Sequence, residues 1–295
     1  MIGAGAGTSD RLAAGARVGD YIIEREVSED TTGIVYLATH VVLPREAHLK
    51  ITRTGAGSRA AAIQLLREAC ILEALAHPGH PGIPHVHECG VLADRRPWSV
   101  IERMPGVTFE QLAGDGPVAL HELVVMMRDL GDILRHAHDR GVVHGALRAS
   151  TIIRTQRRRS VYAVGDWAQA RTHDTEADAA ADPRTDVYAL GAVAFRALTG
   201  EHPAPGISAG TFCPSAPDEL ITVIDQMLSE PVARPIATDV FDRAVWLCDT
   251  LEVAPLVERP RWTPPQGFDA KRVSPPLPEV DLTGFAVRIS RTRSS

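Results

Sequence analysis

The chain has very little lysine, few cysteines and no long apolar run, and each shortage closes off a class of function. Lys50 and Lys271 are the only lysines, and the 37 acidic residues outnumber the 31 basic ones, giving a net charge of −6. No cationic field is available to gather nucleic acid or an anionic membrane surface, so neither is expected as a partner. The four cysteines, Cys70, Cys89, Cys213 and Cys248, are scattered without a Cys-x-x-Cys pair, which fits reduced thiols in a cytoplasmic protein better than a disulfide framework. No uncharged stretch approaches the ~18 residues that a membrane helix needs. Residues 1–17 lack the basic start and long apolar core of a secretory signal, and are expected to form a flexible leader.

What is present suffices for a large core: 295 residues with 44% hydrophobic content fit one large domain or two lobes. Between residues 18 and 105 the β-favouring runs YIIERE, GIVYLATHVV, AHLKIT and WSVIER predict a small sheet, broken by one helix from Arg59 to Ala76. In that helix Ile63, Leu66, Cys70 and Ala74 recur at three- and four-residue steps while Leu65 and Leu72 lie opposite, so burial on two faces is expected. From residue 106 to 252 the pattern turns helical, with amphipathic segments at Leu120–Arg140, Thr185–Thr199, Pro217–Leu228 and Ala237–Leu251. Residues 253–295 are rich in proline and arginine and predict an extended or disordered tail, in which SPPLPEVDL could dock as polyproline II.

Seven segments then fall in a telling order. They are GDYIIEREVSEDTTGIVYLATHVVLPREAHLKI, LLREACILEALAHP, SVIERMPG, HAHDRGVVHGALRASTII, GDWAQA, DPRTDVYALGAVAFRALTG and PDELITVIDQMLSEPVARP. Together they resemble the bacterial serine/threonine protein kinases from Gly19 to about Asp249. The resemblance implies an α+β, bilobal fold with a β-rich N-lobe carrying one main helix and a larger helical C-lobe. It aligns Gly33, Val35 and Lys50 with the phosphate loop and third strand, Glu68 with the glutamate that pairs with the strand lysine, and Ile101 with the gatekeeper. Glu102 and Met104 then fall on the hinge that would contact a bound nucleotide.

Phosphoryl transfer needs held phosphates, clamped Mg²⁺ and an oriented attacking hydroxyl, and the departures from the family pattern fall on these parts. Its three loop glycines, which let backbone amides approach phosphate, correspond to Ser28, Asp30 and Gly33, so Asp30 and Glu29 would set negative charge against the phosphates. His-Arg-Asp is replaced by His144, Gly145 and Ala146, so the carboxylate that accepts the substrate proton is missing. Thr151 stands at the asparagine that ligates a second metal, and Arg148 at the loop lysine. His48 takes a small alanine's place above the adenine pocket, adding bulk there.

Lys50, Glu68 and Asp166 point the other way, and two readings stay open. They form a retained nucleotide clamp with Asp166 holding one Mg²⁺, or Lys50 and Glu68 form a structural pair tying helix to sheet. Substrate handling looks dismantled: about twenty residues separate Asp166 from Asp186, with no Ala-Pro-Glu motif, leaving Thr172 and Thr175 weak as switch sites and Arg234 without its family partner. Val35, Leu72, His144, Ile153, Trp167 and Leu190 fall where the family stacks apolar side chains, and Asp186 where it braces the catalytic loop. A metal site among His77, His80, His85, His87 and Cys89 is conceivable, but a turn and a strand are favoured. Arg157, Arg158 and Arg159 are read as a solvated hairpin tip.

The expectation is therefore a pseudokinase, with no catalytic residue and no metal or cofactor expected, that binds a true kinase or another regulated enzyme as adaptor or allosteric module. The alternatives are a weak kinase or nucleotidyl transferase using ATP, Mg²⁺, Lys50 and Asp166, and a nucleotide-sensing switch without turnover.

Overall fold

The structure, a computed structural model, describes residues 10–251 apart from 31, 55–57, 115, 156–159 and 173–181. All of these lie in one compact unit, Met1–Val253. The arginines at 157–159, Thr175 and the proline-rich tail fall outside the described residues.

Six antiparallel strands form the N-terminal sheet: β1 (Arg17–Val18), β2 (Tyr21–Glu29), β3 (Gly33–His40), β4 (Glu46–Thr52), β5 (Val86–Val91) and β6 (Pro97–Glu102), in the order β1-β2-β3-β4-β6-β5. Period-two alternation along β4 sends Ala47, Leu49 and Ile51 into a small core with Tyr21, Ile23, Tyr36, Trp98 and Val100. The same alternation sends His48 and Lys50 to the opposite face, toward the interlobe cleft. Residues 10–17, expected within a flexible leader, are instead tied down. Leu12 N donates to the Tyr36 hydroxyl at 3.0 Å, Gly15 N to Ile23 O at 2.7 Å, and Thr54 Oγ1 to Asp10 at 2.6 Å. Residues 1–9 lie outside the described residues.

Helix α1 (Ser58–Leu75) packs against β4, β5 and β6 through Leu65, Ala69, Leu72 and Leu75. Buried Glu68 and Ile71 widen this face, which also meets Trp167–Gln169 of the C-terminal lobe. The Ile63–Leu66–Cys70–Ala74 stripe is open, with Ile63 58% and Leu66 46% exposed, which corrects the expectation of burial on two faces. The physical reason is that one sheet offers one surface, and among the described residues no element covers the outer side.

The C-terminal lobe comprises β7 (Gly106–Thr108), α2 (Phe109–Ala113), α3 (Leu120–His138), β8 (Val142–Val143), β9 (Ile152–Thr155), β10 (Tyr162–Val164), β11 (Arg171–Thr172), α4 (Arg184–Thr199), α5 (Asp218–Met227) and α6 (Ala237–Thr250). The four long helices match the predicted segments to within two residues. Helix α2, too short to show periodicity, is set by a capping box: Thr108 Oγ1 accepts from Gln111 N at 3.1 Å and Gln111 Oε1 from Thr108 N at 3.0 Å. Buried Leu123, Met127, Leu130 and Leu134 of α3 join Val187, Leu190 and Phe195 of α4 and Val240 and Leu247 of α6 in one large core. Ile71, Leu72 and Leu75 of α1 belong to this core as well, so α1 is packed by both lobes.

Candidate functional site

The β2–β3 turn holds the position of a phosphate loop. Asp30 N donates to Gly33 O at 3.0 Å, closing a tight hairpin. Asp30 Oδ1 accepts from Thr32 N at 2.7 Å, Thr32 Oγ1 at 2.5 Å and Gly33 N at 2.9 Å. Two loop amides are thereby turned onto a carboxylate that belongs to the chain itself. Gly33 is required for a local reason, since a Cβ there would lie 2.2 Å from Ile51 O on the neighbouring strand.

The second oxygen of this carboxylate reaches Lys50. Lys50 Nζ lies 2.9 Å from Asp30 Oδ2 and 3.9 Å from Glu68 Oε2, so the expected Lys50–Glu68 pair is the looser of the two contacts. The shorter contact was foreshadowed by Asp30 itself, an acid at a loop position facing the strand lysine. Burial opposes ionisation of Asp30, but hydrogen bonds from Lys50 and Thr32 hold its carboxyl below the usual range. Glu68 behaves differently. It is 6% exposed, Oε2 is buried with no hydrogen-bond partner, and burial pushes its pKa up to about 7 against the pull of Lys50, with Asp166 and Asp30 adding repulsion. A backbone hydrogen bond from Trp167 partly offsets this.

Across the cleft, Asp166 sits in the left-handed region at φ 58°, a conformation aspartate tolerates better than most residues. Its Oδ2 accepts from Arg148 Nη2 at 2.8 Å. Arg148 also donates through Nε to Ser150 Oγ at 2.9 Å and through Nη1 to Ala146 O at 3.2 Å. The guanidinium thus spans the loop from Ala146 to Ser150 and grips the carboxylate expected to hold Mg²⁺. Nothing in the motif announced this clamp beyond the arginine's extra donors. At the catalytic-base position, Ala146 offers only a methyl group. Thr151, at the second metal position, is buried and its hydroxyl is used within the loop, accepting from Arg148 N at 3.1 Å and donating to Arg148 O at 2.9 Å.

The remaining expected cofactor contacts are partly committed. Glu102 Oε2 accepts from His85 N at 3.2 Å, and Met104 is buried. His48 is half-buried opposite Ile101 across β4 and β6, and burial, then the nearby arginines 103 and 25, lower its pKa. The histidine run does not converge: His80 Nε2 bonds Asp132 at 3.1 Å, and among the described residues no group of three or more His, Cys, Asp or Glu side chains could hold a metal.

The scaffold beneath is fully engaged. Asp186 accepts from His144 N and Gly145 N, each at 2.8 Å, as expected of a loop brace, and His138 Nε2 adds a third contact at 2.9 Å that the motif did not signal. The His144 and Trp167 rings meet edge to face at 4.7 Å, and Trp167 Nε1 donates to Val164 O at 2.9 Å. Leu72, His144, Trp167 and Leu190 are buried, whereas Val35 and Ile153 are half-buried. Arg234 stacks 4.6 Å over Tyr188 and donates to Ser229 O at 2.7 Å, a local structural role.

No family model matches the chain. Among curated proteins it is 27% identical over 224 residues to the serine/threonine-protein kinase PknL of Mycobacterium tuberculosis, covering 69% of this chain and 55% of that protein. It is 24% identical to the serine/threonine-protein kinase Pkn1 of Myxococcus xanthus, over 92% of this chain and 44% of the relative. The chain thus spans about half the length of the curated relatives it matches. Among solved structures the PknI kinase domain of M. tuberculosis superposes with a TM-score of 0.63 at 22% identity, over 81% of this chain and all of that domain. In segment order and sequence the chain is similar to bacterial serine/threonine protein kinases, and its bilobal architecture is that of a protein-kinase fold.

Proposed function

We propose that the chain is a pseudokinase, a kinase-like module that works by binding a protein partner, a true kinase or another regulated enzyme, without turning over ATP. The observation that carries this reading is the pair of internal clamps in the cleft: Asp30 on Lys50 at 2.9 Å and Arg148 on Asp166 at 2.8 Å. A nucleotide triphosphate would have to displace one carboxylate from the lysine and bring its Mg²⁺ to an acid already paired with a guanidinium. Ala146 leaves no carboxylate to accept a proton from an attacking hydroxyl. The relatives are named as kinases, so the loss belongs to the cleft of this chain and not to the fold.

A nucleotide-sensing switch is favoured by one observation, that Lys50, Glu68 and Asp166 remain grouped around the same cleft. Titration of ATP with Mg²⁺, read by thermal unfolding, separates the two, because a ligand that binds only the folded state raises apparent stability. The pseudokinase reading expects no shift for the intact chain and a measurable one for an Asp30→Ala, Arg148→Gln double variant. A saturable shift in the unmodified chain would transfer support to the switch.

A further inference from the structure

Outside the cleft, the C-lobe holds a cavity of about 290 Å³ between α2, the former catalytic loop and α4. Small side chains create the space: Ala113, Ala149, Ala189, Ala192 and Ala197 all line it, where larger residues would close the gap between the helices and the loop. Phe109, Leu147 and Val193 supply apolar wall. The charged lining is unbalanced, with Arg148, Arg196 and His202 against the single acid Glu110. Arg148 is committed to Asp166. Arg196 and His202 are exposed and make no side-chain hydrogen bond or ion pair with another described residue.

We propose that this cavity binds a small apolar carboxylic acid, its hydrocarbon body among the alanines and its carboxylate at Arg196 and His202. The dimensions limit the class. At interior packing density about three quarters of such a volume is filled by atoms, which leaves room for a chain of roughly ten carbons, and the volume sits at the lower end of ligand pockets. The alanine, Phe109, Leu147 and Val193 walls offer no side-chain partner for a second polar group, and an unpaired buried polar atom costs more than it contributes. One anionic head at the cationic edge and an apolar tail inside satisfy both parts of the lining. The cavity shares Arg148 with the clamp on Asp166 but holds the tail and head groups elsewhere, so the proposal stands whether or not the chain proves catalytically silent.

Calorimetric titration of the intact chain with decanoate, decanol and decyltrimethylammonium, each kept below its aggregation concentration, tests the assignment. Decanoate is expected to bind saturably with one equivalent per chain. Ala192→Leu fills the cavity from a half-exposed helix position where leucine is nearly as favourable as alanine, and is expected to weaken decanoate at least about tenfold. Ala189→Leu, on the same wall, gives the same result if the first variant proves unstable. Arg196→Gln is expected to weaken decanoate by about three- to tenfold and decanol by less than about twofold, as removing a single charge contact at a solvent-facing edge should. The absence of saturable decanoate binding, unchanged affinity in the folded leucine variants, or equal affinity for the cationic amphiphile would each overturn the proposal.

Discussion

Two aspartates twenty residues apart in the sequence show how differently the fold treats its scaffold and its cleft. Asp186 is 1% exposed and holds two backbone amides and a histidine, all within 2.9 Å. Asp166 has a side chain 42% exposed, held by one guanidinium that is itself 55% exposed. The first arrangement is buried and multiply bonded. The second is a surface ion pair of the sort worth roughly 0–1 kcal/mol. The groups that brace the segment around His144 are buried and multiply bonded, while Lys50 and Asp166 are each paired with a charge supplied by the chain itself.

The contrast is most strongly tested at its buried end. Asp186→Ala strands two amides and His138 in the interior, and is expected to lower unfolding free energy by about 2–4 kcal/mol in chemical denaturation. A loss below about 1 kcal/mol would show that the loop is not braced there.

Glu68 gives the next effect, and it depends on pH. Its folded-state pKa of about 7 lies above the ordinary 4.5, so between those values the folded chain binds more proton than the unfolded one. Stability from this group is therefore present below about pH 4.5 and lost as pH rises through 7. Glu68→Gln cannot titrate and should become more stable relative to the parent as pH climbs through that window, by up to about 3 kcal/mol. Denaturation midpoints at pH 5 and pH 8 check this, and a constant difference would contradict the buried, poorly paired carboxylate. Smallest is Arg148→Gln, which breaks the exposed clamp and is expected to change stability by less than about 1 kcal/mol at any pH.

Much of this was legible in the residues because large elements announce themselves. The four C-lobe helices and the principal strands carry enough periodicity to be placed, and the order of the motifs implies the bilobal fold and the positions of Lys50, Glu68, Asp166 and Ala146. Contacts were harder to read. Lys50 was matched to Glu68 by motif, yet it prefers Asp30, because a tight hairpin with Asp30 at its turn brings that carboxylate nearer than the helix brings Glu68. The α1 stripe misled, since Ile63 and Leu66 have the spacing of buried residues but lie on the side of the helix that no described element covers. Likewise residues 10–17 are anchored by several contacts to Tyr36, Ile23, Thr54 and Arg96, among other partners, and these leave no local pattern in the segment itself.

The central claim is that the cleft keeps its architecture but performs no phosphoryl transfer. Its most direct test is incubation of the intact chain with γ-phosphate-labelled ATP, Mg²⁺ and a general protein substrate, beside the Lys50→Met variant. Incorporation indistinguishable between the two is the predicted result, whereas label transferred by the parent chain and abolished by Lys50→Met would contradict it.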